Sequence, residues 1–154
     1  MFDFIRSITR SRISLLLILL VTALPGYANE KAPVLPEEIQ SSLEQEWGIR
    51  VLSLRQSASG YMLDFRYRVI DPDKAVQILN RKIRPQLIVS KSGNHLQVPT
   101  PPKLGPLRQS SRTPRADTNY FIFFANPSRQ VNEGDEVSIQ IGKLSIPGLK
   151  VSSS

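Results

Sequence analysis

From Gly48 onward, apolar and polar residues alternate with a period of two, the repeat of a strand with one buried and one wet face. Ile49 to Ser57 is expected to form a first strand and Tyr61 to Ile70 a second, joined by a tight hairpin turn at Ala58-Ser59-Gly60. In the second strand Tyr61, Leu63, Phe65, Tyr67 and Val69 would face inward, with Met62, Asp64, Arg66, Arg68 and Ile70 on a mostly polar outer face. Asp71-Pro72 reads as an N-cap followed by a first helical position, opening a helix of two to three turns through Ala75, Val76, Ile78 and Leu79. Leu87–Ser90 and Leu96–Val98 flank Lys91-Ser92-Gly93-Asn94 as a second hairpin. Asn119–Ala125 is apolar on both faces, which predicts a central strand ended by Asn126-Pro127. Asn132-Glu133-Gly134-Asp135 is a turn into Val137, Ile139 and Ile141. A last strand surrounds Leu144-Ser145-Ile146 and is interrupted at Pro147-Gly148 before Leu149 and Val151.

Before this region the period changes. Ile39, Leu43 and Trp47 recur every fourth residue behind Pro36-Glu37-Glu38, the pattern of a short helix with acids at its positive end. Its apolar face either docks on the body or presents Trp47 to a partner as an anchor. About seven short strands with turns between them predict a mostly β fold, an immunoglobulin-like β-sandwich with this N-terminal helix and one inserted helix. A small α+β domain or a partly open barrel is the alternative. The Cys–Trp–Cys spacing of antibody domains is absent.

The first 28 residues have a different pattern. Arg6, Arg10 and Arg12 precede an apolar run of 12 residues, Ile13–Leu24, and then Pro25-Gly26-Tyr27-Ala28. That is the layout of a secretory leader, and the run is shorter than the roughly 20 residues that span a bilayer. Cleavage near Ala28 is expected to leave 126 residues (154 − 28) in the periplasm or secreted, with an uncleaved anchor as the other possibility. The organisation is then a leader over 1–28, an acidic arm and helix over 29–47, a β-sandwich over 48–151 and a tail over 152–154.

The 154 residues carry 20 Lys+Arg and 13 Asp+Glu, a net charge of +7, and it is unevenly placed. Residues 29–47 sum to −4 and residues 48–154 to +9 (16 basic, 7 acidic). Much of the excess lies in the stretch 99–115, with five prolines, the cations Lys103, Arg108, Arg112 and Arg115, and no acid. A connection this long is usually functional or disordered. As a functional element it would recruit an envelope protein or an anionic envelope component. Otherwise it is a solvated loop, with Leu104 and Leu107 able to pack down on the sheet. Nucleic acid is not expected, because no reading motif is present. Membrane contact is expected through the leader alone, before its removal.

Catalytic patterns are missing. There is no Gly-x-Ser-x-Gly elbow, no His-Glu-x-x-His and no phosphate-binding Gly-rich loop. His95 is the sole imidazole and no cysteine is present, so neither a thiol nucleophile nor a transition-metal centre is indicated, and no cofactor is implied. Asp64 beside Arg66 and Arg68 reads as an ion-pairing group. Asp71-Pro72-Asp73 and the 132–135 turn lack the ligand spacing of a calcium loop.

The block Trp47-Gly48-Ile49 through Gly60–Pro72, with Gly105-Pro106-Leu107-Arg108-Gln109, Tyr120–Pro127 and Gly134-Asp135-Glu136-Val137, resembles uncharacterised exported bacterial proteins. The resemblance implies export and one β-rich domain, and transfers no catalytic residue. The residues themselves suggest a binding surface made of a charged edge, Asp64, Arg66, Arg68 and Asp71, and the basic loop. Two functions follow. One is a non-catalytic adaptor using Arg108–Arg115, with Trp47 as a possible anchor. The other is a small-ligand carrier with a cleft of Tyr61, Phe65, Tyr67, Tyr120 and Phe124, aromatics that would otherwise fill the core. A hydrolase using His95, Asp64 and Asp71 is the third reading.

Overall fold

The computed structural model describes residues 34–153. The leader at 1–28 and the first part of the acidic arm lie outside the described residues. The rest is mostly β. The elements run α1 (Glu37–Trp47), β1 (Ile49–Ser57), β2 (Met62–Val69), α2 (Pro72–Ala75), β3 (Gln86–Val89), β4 (His95–Gln97), β5 (Thr118–Ala125), β6 (Glu136–Ile141) and β7 (Leu144–Lys150). They form two antiparallel sheets, one ordered β1-β2-β5 and the other β4-β3-β6-β7, so that the chain crosses between sheets after β2, β4 and β5. Inward residues of both sheets share one core, including Leu54, Phe65, Tyr67 and Phe124 from the first and Leu87, Ile139 and Ile146 from the second.

Local irregularities keep the apolar residues inside. In β1 the register shifts between Val51 and Ser53, so Val51 and Leu54 are both buried although three residues apart. In β7, Ile146 pairs with Ile139 and Leu149 with Val137, so Pro147 and Gly148 together oppose Ser138. Pro147 therefore does not break the strand as the sequence suggests. It sits in a bulge, where a missing N–H matters least, and Gly148 takes φ +69°.

Helix α1 docks on β1. Leu43 is buried, and Ile39 and Trp47 pack against the core, so Trp47 is a half-buried contact within the fold. Gln40 is buried with them, and its amide exchanges two hydrogen bonds with the Val51 backbone: Nε2 donates to the carbonyl (2.8 Å) and Oε1 accepts from the N–H (3.0 Å). Ser152, expected in a tail, continues this edge cover: its N–H donates to the Leu54 carbonyl (2.9 Å) and its carbonyl accepts from Gln56 (3.0 Å). Gly48 ends the helix in the left-handed region (φ +66°), and its carbonyl accepts from the N–H groups of Ile70 (2.7 Å) and Asp71 (3.0 Å).

Four expectations are corrected. Strand β5 is an edge of its sheet, not its centre. Its outer edge is covered instead by the loop: Gln109 N–H donates to the Phe121 carbonyl (3.0 Å) and Phe123 N–H to the Leu107 carbonyl (2.9 Å); Phe121 and Phe123 are half-buried, with ring centroids 5.2 Å apart. Helix α2 has Asp71 as its cap, with Oδ1 accepting from Asp73 N–H at 3.0 Å, but ends at Ala75. Beyond it the carbonyls of Ile78 and Asn80 are turned to Arg108 rather than into a helical ladder. Tyr61 is 57% exposed, because the strand starts at Met62 and Tyr61 lies in the preceding turn with Arg129 5.5 Å above its ring. Finally, the aromatic set does not line a cleft. Phe65, Tyr67 and Phe124 are fully buried, and Tyr67 stacks between Phe65 (5.6 Å) and Tyr120 (5.9 Å) as core.

Candidate functional site

The loop expected to carry the site is folded by its own backbone. Gly105 N–H bonds the Pro101 carbonyl (2.9 Å) and Leu107 N–H the Pro99 carbonyl (2.9 Å), closing a turn that needs φ +70° at Gly105. The prolines at 99, 101 and 102 fix the chain on entering it. Residues 107–109 then run along β5 as an added edge segment. With Leu107 and Gln109 bonded to that edge, Arg108 crosses to the segment after α2. Its Nη1 donates to the Ile83 carbonyl (3.0 Å), and its Nη2 to the carbonyls of Asn80 (3.1 Å) and Ile78 (3.4 Å).

Arg108 is therefore a brace and not a solvent-facing contact. No carboxylate faces it among the described residues, and its Nε is buried without a partner. Burial pulls its pKa below the ordinary guanidinium value, against an opposing effect from the neighbouring Tyr67. Burial likewise pushes the Tyr67 phenol up. A half-buried cation answered by backbone dipoles alone leaves the local field positive.

Between the loop and the braced segment lies a cleft of about 470 Å³. Its apolar walls include Ile83, Pro85, Val98 and Pro106, with Leu104 at 76% exposure. Its charged groups are Arg81, Arg84 and Arg108, and no carboxylate lines it. The volume is in the range of pockets that hold small ligands or one or two side chains, and the mix of apolar wall and convergent cations suits an anion with an apolar portion.

The proposed site residues are divided by the structure. Arg108 lines the cleft; Arg112 lines a neighbouring hollow. Lys103 is exposed next to Leu104 without lining the cleft, and Arg115 is exposed, its backbone N–H donating to the Tyr120 hydroxyl (3.2 Å). Arg66 and Arg68 project from the outer face of β2: Arg66 Nε pairs with Asp64 Oδ2 (2.9 Å), and Arg68 Nε donates to Asn119 (3.0 Å). Asp64 itself is only 5% exposed, its second partner being Arg55 at 3.9 Å, so the expected Asp64–Arg68 pairing is replaced. Asp71 is occupied with α2 and with Lys74 at 3.6 Å. Asp64, Arg66 and Arg68 thus lie on the outer face of the central strand β2 and not on an edge, with β5 between them and the loop segment 107–109.

Arg81 and Arg84 are not singled out by the sequence pattern alone. Their signal is Arg81-Lys82-Ile83-Arg84-Pro85, three cations in five residues between an inserted helix and a strand. His95, Asp64 and Asp71 are not brought together: His95 is exposed with Nδ1 2.8 Å from Gln86 Oε1, and no hydrogen bond or ion pair joins it to Asp64 or Asp71 among the described residues. No family model matches this chain, and no curated protein or solved structure matches it.

Proposed function

We propose that this chain is an exported, non-catalytic binding module of the bacterial cell envelope that holds an anionic partner in the cleft framed by its Pro-rich loop. The observation that carries this reading is the charge of the cleft: three arginines line it and no carboxylate does. Cations gathered around one concavity repel one another, and a bound anion relieves that repulsion: the exposed Arg81 and Arg84 supply charge-assisted hydrogen bonds, while Arg108, engaged with carbonyls, contributes its positive field. Export rests on the leader pattern of residues 1–28. The immunoglobulin-like reading rests on strand order: β1-β2-β5 corresponds to the A-B-E strands of that fold and β3-β6-β7 to C-F-G, with β4 added beside β3. A carrier built on the aromatic strand has no observation in its favour, because Phe65, Tyr67, Tyr120 and Phe124 fill the interior and Tyr61 stands apart from them in an exposed turn.

The test is retention on immobilised polyglutamate across a salt gradient. Arg81→Glu/Arg84→Glu is compared with Arg68→Glu/Lys143→Glu, which changes net charge equally at exposed positions outside the cleft. The cleft variant is expected to elute at clearly lower salt than the control variant. Equal elution of the two would mean that net charge alone governs retention, and the cleft would lose its role.

A further inference from the structure

We propose that the cleft is one half of a groove for an extended acidic polypeptide segment that also carries apolar side chains. This rests on the anion-binding reading above and adds the partner's chemical class. The second half is a hollow of about 300 Å³ whose walls include Val76, Arg81, Lys82 and Arg112, again with no carboxylate. Arg81 lines both spaces, so they adjoin at that side chain and follow the segment from Val76 to Pro85.

Three features select an extended polypeptide. Each half combines cations with one exposed apolar side chain, Leu104 (76%) in the cleft and Val76 (39%) in the hollow. A lone phosphate satisfies the cations of one half and leaves both apolar groups wet, whereas a chain mixing acidic and apolar residues serves both halves. The groove wall is also fixed in advance. Arg108 holds the carbonyls of Ile78, Asn80 and Ile83, and Ser111 N–H holds that of Leu79 (3.1 Å), so the backbone of the wall needs little ordering on binding. A bilayer fits less well. Interfacial attachment scales with contiguous buried apolar area, and here two apolar side chains stand apart in concave surroundings.

The experiment titrates the isotope-labelled, purified chain with an octapeptide alternating Glu and Leu. The same chain is titrated with a Glu/Ser octapeptide, inorganic phosphate, and vesicles of phosphatidylglycerol in neutral lipid. The Glu/Leu peptide is expected to bind at least about tenfold more tightly than the Glu/Ser peptide or phosphate. It should shift amides lining both halves, and lose about tenfold affinity in Arg84→Glu and separately in Arg112→Glu. Shift mapping on the unsubstituted chain stays decisive even if a variant misfolds. Phosphate binding as tight as the peptide, with Arg112→Glu silent, would leave a single anion subsite and overturn the groove while sparing the anion reading. Vesicle binding without peptide binding overturns it in favour of a membrane surface. No binding of any anion removes the underlying reading as well.

Discussion

Arg108 and Ile83 are joined by a guanidinium-to-carbonyl hydrogen bond of 3.0 Å that spans 25 positions of sequence, and the same side chain reaches the carbonyls of Asn80 and Ile78. The cation is held by peptide dipoles alone, so its removal orphans several acceptors at once. Arg108→Met is expected to destabilise the chain by about 2 kcal/mol, within the usual range for hydrogen bonds to a charged donor. Arg108→Lys should recover only part of this, because an ammonium lacks the planar fork. Urea unfolding of the two variants checks both, and an unchanged midpoint in the Met variant would refute the brace.

The Gln40 amide imitates a neighbouring strand for Val51. Gln40→Ala leaves a buried N–H and a buried carbonyl on β1 unpaired, at a cost of about 1–3 kcal/mol. Gln40→Glu should also destabilise at neutral pH, because a carboxylate accepts from the N–H but has no proton for the carbonyl. Thermal unfolding of both variants tests the pairing.

Gly48→Ala is expected to be far more disruptive than its size suggests. The position has φ +66°, and a methyl group there would run into the Asp71 carbonyl and come within 2.8 Å of Asp71 Cβ. Strain plus displacement of the Asp71 cap should cost about 2–3 kcal/mol. A denaturant midpoint close to that of the parent would show that the α1–β1 corner is looser than described.

Asp135 supplies a sign-definite pH dependence. Its Oδ2 accepts from Lys91 Nζ (2.8 Å) and from Asn132 N–H (2.7 Å), and these bonds hold its carboxyl below the ordinary 3.8, the Lys91 contact first. A depressed folded-state pKa contributes stability that is present above pH 3.8 and lost as pH falls through the lower folded value. The thermal midpoint should therefore fall on acidification below that point by less in Asp135→Asn than in the parent. Matching acid profiles would place the acid sensitivity elsewhere.

Legibility from sequence followed the physics of each segment. The hairpins and the alternating strands β2 and β6 were readable, because burying one face of a pleated strand writes itself as period two. The docked face of α1 was readable through Ile39, Leu43 and Trp47, but not the buried Gln40, whose polarity argues for solvent until Val51 is seen beside it. Phe121 and Phe123 suggest a central strand, whereas the outer edge of β5 is paired by residues 107–109, which have no periodicity of their own. The cleft was half legible. The proline- and cation-rich stretch was marked, yet the side of the cleft formed by Arg81 and Arg84 depends on two irregular segments meeting. Arg108 reads as a surface charge in the sequence, because a half-buried arginine held by backbone carbonyls leaves no partner acid to find there.

The three residues 107–109 do two things at once: their backbone completes the edge of β5, while Arg108 braces the cleft wall. A pull on one is consequently felt by the other. Seating an occupant in the cleft should slow the isotope exchange of the Phe123 amide, which donates to Leu107 on the far side of that strap. Phe123 thereby becomes an internal gauge of cleft occupancy, readable without touching the cleft itself.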